Sequence, residues 1–230
     1  MRAIIFYPVV AIIAAATIVV SLNTAILPRP VTAQAGAMQE GAWVFGPEAL
    51  AHVAITGPQE FYLLRDDNRR PTAIQIATPS ARMEPHPDDR GVQLLLTPQT
   101  AAQFAGKALR VELRVRPLLY TTAPKVAVTL QTAGPAQWVT QTFPHTVIER
   151  AGDDPAKTSA WLQFDLPAQA GAPQAIGIWP YDDRARKPNE RFYFNAGIEV
   201  IEVRISPAPA RTADAGADSG PGESQTFAVR

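Results

Sequence analysis

The sequence contains no cysteine. That removes disulfides, thiolate metal sites, cysteine nucleophiles and a lipid-modified N-terminal cysteine in one step. Histidine is scarce: His52, His86 and His145 are scattered, each near turn residues, without the spacing of a zinc site. Charge is sparse at 18% and balanced, with 21 basic against 21 acidic residues. Phosphate neutralisation needs a basic surplus or stripe, so an electrostatic nucleic-acid binder is excluded. There is no G-x-S-x-G, no Walker loop, no dinucleotide fingerprint and no internal repeat. What remains is a 230-residue chain, 47% hydrophobic and with 22 prolines, which suits one folded domain with appendages.

The first appendage is apolar. Ala3 to Leu22 runs AIIFYPVVAIIAAATIVVSL, twenty residues without a charge. As a helix it reaches about 30 Å, the hydrocarbon thickness of a bilayer. Pro8 falls in the second turn, where a missing donor costs little. A cleaved signal peptide is the rival reading, since Ala33-Gln34-Ala35 has the A-x-A form. That triplet lies well beyond the apolar run, which favours an uncleaved signal-anchor. Arg2 precedes the run and only Arg29 follows closely, so the positive-inside bias puts the N-terminus in and the rest of the chain out. The expected organisation is a transmembrane helix at 1–22, an extracytoplasmic stalk at 23–40, a folded domain at 41–206 and a disordered tail at 207–230. The tail is rich in Ala, Gly, Pro, Ser and Asp and cannot bury enough surface to offset its ordering entropy.

The domain reads as all-β. Leu109, Val111, Leu113 and Val115 alternate with Arg110, Glu112, Arg114 and Arg116, which is one buried and one wet face. Lys125–Gln131 repeats the pattern through Val126, Val128 and Leu130. Further strands are expected at 43–45, 53–56, 61–64, 73–77, 92–96, 138–143, 161–166, 175–179, 192–194 and 198–205, with one short helix at 100–104. Pro, Gly or Asp-Asp pairs punctuate nearly every gap. A dozen short strands separated by turns give an antiparallel β-sandwich, of jelly-roll type, behind one N-terminal transmembrane helix.

A more specific pattern starts at Gly106-Lys107-Ala108-Leu109 and continues through Arg110-Val111-Glu112-Leu113-Arg114-Val115-Arg116. Trp161-Leu162-Gln163-Phe164, Ile176-Gly177-Ile178-Trp179 and a closing strand at Ile198–Ile205 follow in order. In residue class and spacing, from about Val92 to Ile205, this resembles the carbohydrate-binding-module-like and galactose-binding-like jelly rolls. The resemblance implies a sandwich that binds sugars through aromatic platforms. Those modules often hold a structural calcium through an Asp near the start of the final strand. Here the matching stretch is Asn195-Ala196-Gly197-Ile198-Glu199, so no calcium is carried over and no cofactor is expected.

Trp179 lies on the opposite strand face from Ile176 and Ile178. With the isoleucines buried, it is expected to face outward beside Tyr181, Asp182, Asp183 and Arg184. That loop combines stacking surface with hydroxyl-binding groups and is the candidate ligand site. Trp43, Tyr62, Trp138 and Trp161 are further flat groups that could stack on a sugar ring, with packing the favoured reading for Trp43, Trp138 and Trp161. Eight of the eleven aspartates occur as adjacent pairs, at 66–67, 88–89, 153–154 and 182–183, without an Asp-x-Asp-x-Asp-Gly loop, and read as turn formers. The face Arg110, Glu112, Arg114 and Arg116 reads as a solvated strand face, with an acidic-polysaccharide track as the alternative. Catalysis needs two carboxylates converging on one bond. Glu199 and Glu202 are three apart and on a regular strand point opposite ways, and Asp165 stands alone.

The expected protein is therefore a membrane-anchored, non-catalytic binding module for cell-envelope or secreted polysaccharide. Its location is the cytoplasmic membrane by residues 3–22, with the domain periplasmic in a Gram-negative cell. A structural or assembly partner of another envelope protein is the alternative, and a polysaccharide-active enzyme the second.

Overall fold

The computed structural model describes residues 32–34, 36–78, 84–118, 122–144, 158–183 and 196–209. The expected anchor at 3–22, the strand at 192–194, Arg184 and nearly all of the tail lie outside them. Among the described residues no helix is long and apolar enough to cross a membrane.

Among the described residues, twelve strands form two antiparallel sheets, accompanied by two short helices. The larger contains β1 (Ala37–Gln39), β2 (Ala42–Phe45), β4 (Glu60–Arg65), β5 (Pro71–Thr78), β7 (Leu109–Pro117), β10 (Ala160–Leu166) and β12 (Ala196–Pro207). The smaller runs in the order β3 (Ala54–Ile55), β6 (Val92–Leu95), β11 (Ala175–Tyr181), β8 (Lys125–Gln131) and β9 (Val139–Thr142). β12 is the spine of the larger sheet. One of its edges carries β7, which in turn pairs with β10. The other edge carries β5 along its first half and β2 along its second.

The alternation in β7 does what its sequence dictates. Leu109, Val111, Leu113 and Val115 are fully buried between the sheets, where they meet Val126, Val128, Ile176 and Ile178 of the smaller one. Burying side chains of this kind contributes about 1.5–3 kcal/mol each, and with no disulfide this core supplies the cohesion. α1 (Pro47–Leu50) is a single turn that drives Leu50 into the core. α2 (Pro98–Phe104) starts where Thr97 Oγ1 accepts a hydrogen bond from Thr100 N at 3.2 Å and Pro98 occupies the first turn. The β1–β2 hairpin turns on Glu40 and Gly41, both at positive φ (48° and 82°), as a two-residue turn of this hand requires.

The described chain starts and stops at one pole of the sandwich. Gln34 bridges to Leu96 at the end of β6, and Ala208 N donates to Ala108 O beside the start of β7. At the opposite pole β5, β7, β9 and β11 end, and β8, β10 and β12 begin.

Candidate functional site

The outer faces of the two sheets differ in kind. On the smaller sheet Ala175, Gly177, Trp179 and Tyr181 of β11 point away from the inter-sheet core, beside Ala127, Thr129 and Gln131 of β8. Trp179 therefore lies on the face expected for it. That face, however, is not open to solvent: Trp179 is 0% exposed and Tyr181 3%. Two connections cross it. Residues 84–91 and 132–138 are joined to each other by Ala136 N to Pro87 O at 2.8 Å and by Trp138 Nε1 to His86 O at 3.1 Å. They are tied to the sheet by Thr129 Oγ1 to Gln137 O at 2.8 Å and by Gln131 Nε2 to Arg90 O. Trp138 packs edge-on against Trp179, with centroids 6.0 Å apart and planes at 67°. Gly177 permits this close approach, since a Cβ there meets Gln131 Nε2 at 2.6 Å and Arg90 O at 2.7 Å.

The expected outward platform is thus corrected. Trp179 and Tyr181 form a second, smaller core under a strap, and Tyr181 OH donates to Thr140 Oγ1 at 3.2 Å. Asp183 is ion-paired with Lys125, whose pKa that hydrogen bond raises, while Asp182 is half-buried and engaged in its own contacts. Arg184 lies outside the described residues. Of the aspartate pairs elsewhere, Asp66 and Asp89 cap turns, Asp66 Oδ1 accepting from Arg70 N and Asp89 Oδ2 from His86 N, both at 2.8 Å, while the pair at 153–154 lies outside the described residues.

The outer face of the larger sheet is wet, and the structure assembles there residues that the sequence separates. In register across β10, β7 and β12 stand Trp161, Arg114 and Glu202 in one row. Gln163, Glu112 and Arg204 form the next, continued by Val44 on β2, and Asp165, Arg110 and Ser206 form a third. Trp161, expected as a packing residue, is 44% exposed, and Arg204 Cζ sits 4.7 Å from its ring centroid. The two side chains meet above β7, the strand between them. A guanidinium on one ring face fixes the indole plane by a cation–π contact.

A β-bulge completes this face. The register of β12 against β7 shifts between Val200 and Glu202, leaving Ile201 as the extra residue. Glu199 then stands opposite Arg116 and Glu202 opposite Arg114. Arg114 and Arg116 are two apart on a regular strand, so both glutamates point outward. The expectation that they face opposite ways is overturned, because the bulge inserts one residue into the count. They do not form a free acid–base pair. Arg116 Nη1 donates to Glu199 Oε1 at 2.7 Å and Arg204 Nε to Glu202 Oε1 at 2.6 Å. Glu199 is 7% exposed, and burial pushes its carboxyl pKa up against the lowering effect of Arg116. A carboxylate committed to a guanidinium is also a poor cation ligand. Among the described residues no group of three acidic or histidine side chains is placed to hold a metal.

No protein-family model matches the chain, and no curated protein sequence does. Among solved structures it is similar to the apo form of BiXyn10A CBM1, at 11% identity and a TM-score of 0.38 over 72% of this chain and 97% of that one. It is similar at 12% identity and 0.36, with the same coverages, to the carbohydrate-binding module CBM6cm-2 of Cellvibrio mixtus lichenase 5A in complex with cellotriose. The N-terminal CBM22-1–CBM22-2 tandem of Paenibacillus barcinonensis Xyn10C is similar at 11% and 0.37, over 81% of this chain and 48% of that one.

Proposed function

We propose that the chain is a non-catalytic binding module of jelly-roll type for a cell-envelope or secreted polysaccharide. In this reading residues 3–22 anchor it in the cytoplasmic membrane, with the sandwich on the extracytoplasmic side. The observation that carries the ligand class is the exposed indole of Trp161, braced by Arg204 and ringed by Gln163, Glu112, Arg114 and Glu202. A pyranose presents CH groups to a flat aromatic face and hydroxyls around its rim. Indole, amide, guanidinium and carboxylate groups answer both needs. Against catalysis stands the pairing of Glu199 and Glu202 with arginines, which leaves neither free to move a proton.

Affinity electrophoresis of the full-length chain in gels containing different polysaccharides tests the reading. Retardation that Trp161→Ala abolishes supports it. Retardation that Trp161→Ala leaves unchanged refutes the site, and none in any gel refutes the ligand class. For the anchor, retention in alkali-washed membranes with the domain open to external protease is expected, and both are lost on deleting residues 3–22.

A further inference from the structure

Resting on the glycan reading, we infer that the outer face of the larger sheet takes an uncharged polysaccharide and rejects polyanions. The charges on this face cancel locally. Arg110, Arg114, Arg116 and Arg204 stand among Glu112, Asp165, Glu199 and Glu202 on β7, β10 and β12. Arg110 Nε donates to Asp165 Oδ1 at 2.9 Å, Arg116 Nη1 to Glu199 Oε1 at 2.7 Å and Arg204 Nε to Glu202 Oε1 at 2.6 Å. The hydrogen bonds to Asp165 and Glu202 raise the pKa of Arg110 and Arg204 respectively, and the charge of Glu112, between them, adds to both. Arg114 stands opposite Glu202 in the register, and its Nε reaches Ser159 Oγ at 3.5 Å.

A polyanion track needs a stripe of cations free to exchange counter-ions for ligand charges. This face carries no lysine, and three of its four guanidiniums, those of Arg110, Arg116 and Arg204, donate to carboxylates of the same sheet. An anionic chain lying on it meets Glu112, Asp165 and Glu202 beside the arginines, and gains any of these cations but Arg114 only by breaking a pair. A neutral chain meets no such opposition. It stacks on Trp161, and its hydroxyls find donors and acceptors that ion pairing has already fixed in place. The reading of this face as an acidic-polysaccharide track is thereby disfavoured by the same arginines that prompted it.

The test is binding of the full-length, detergent-solubilised chain to neutral pullulan, hydroxyethylcellulose, mannan and xylan, and to anionic alginate, polygalacturonate and hyaluronate, at 50 and 500 mM NaCl. The expected result is binding to at least one neutral polymer, with a Kd that salt changes by less than about twofold and that Trp161→Ala weakens by about tenfold or more. A second arm uses Glu112→Gln combined with Asp165→Asn, which leaves arginines unopposed. This variant is expected to acquire salt-sensitive binding to the anionic set; without that gain, ion pairing is not what excludes polyanions and the inference falls. Preference of the wild type for anionic polymers, with affinity falling steeply in salt, overturns the inference while sparing the glycan reading. No binding to either set overturns the glycan reading itself.

Discussion

Exchanging Trp179 and Trp161 for alanine, one at a time, separates a buried indole from an exposed one. Trp179 has no exposed surface and packs against Trp138, Ala127 and Tyr181. Truncating a fully buried aromatic costs about 3–5 kcal/mol. With a urea slope of about 2 kcal/mol/M, the unfolding midpoint falls by about 1.5–2.5 M. Trp179 Nε1 has no hydrogen-bond acceptor among the described residues, and a buried donor left unmade costs about 1–3 kcal/mol. Trp179→Phe removes that donor and keeps most of the ring, so it lowers stability by less than about 1 kcal/mol. Trp161→Ala loses the contact with Arg204 at a partly exposed site, which contributes about 0.5–1 kcal/mol. The assay is equilibrium urea unfolding followed by far-UV circular dichroism, which does not depend on the indole removed. The order expected is Trp179→Ala far below Trp161→Ala, with Trp179→Phe near wild type. A Trp179→Ala variant as stable as Trp161→Ala refutes the strap over the smaller sheet.

Gly177→Ala tests the same strap from beneath. Its Cβ meets Arg90 O and Gln131 Nε2 below 3.0 Å, so urea unfolding should show a loss of about 1–3 kcal/mol, and acrylamide should quench tryptophan fluorescence more than in wild type. Glu199 gives a pH signature. Its folded pKa is raised, chiefly by burial, so this group's contribution to stability is greatest at acid pH and is lost as pH rises through the folded pKa, the reverse of an ordinary salt-bridged carboxylate. Glu199→Gln should therefore gain on the wild type as pH climbs through the carboxylate range, read from urea midpoints. A variant that instead loses ground to the wild type over that range contradicts the raised pKa.

Much of the fold was legible because alternation has one meaning where one face is wet. β7 carries its sidedness in four charges, and β8 its span in Val126, Val128 and Leu130. The same rule misled at Trp179, because alternation tells which face a residue occupies and not what covers it. The missing signal was present: β11 reads Ala-Ile-Gly-Ile-Trp-Pro-Tyr with no charge, and the outward residues of β8 after Lys125 are Ala127, Thr129 and Gln131. A strand without charge on either face is buried on both. In β12 the apolar residues pass from even positions, Ile198 and Val200, to odd ones, Val203 and Ile205. That change of phase is the sequence mark of the bulge at Ile201 and shows that Glu199 and Glu202 share a face. The site itself was not legible, since Trp161 and Arg204 are 43 positions apart and meet only because β7 lies between their strands.

Gln34 and Ala208 both lie at one pole of the sandwich, so the proposed membrane tether would meet the strands end-on, like staves. The rows from Trp161 to Glu202 and from Gln163 to Arg204 run across the strands, and with that tether would lie level with the membrane surface. A polymer running parallel to that surface crosses the staves along these rows instead of following any one of them. In the proposed reading the spacing of its sugar units would be measured against the gap between strands, not against the rise along one.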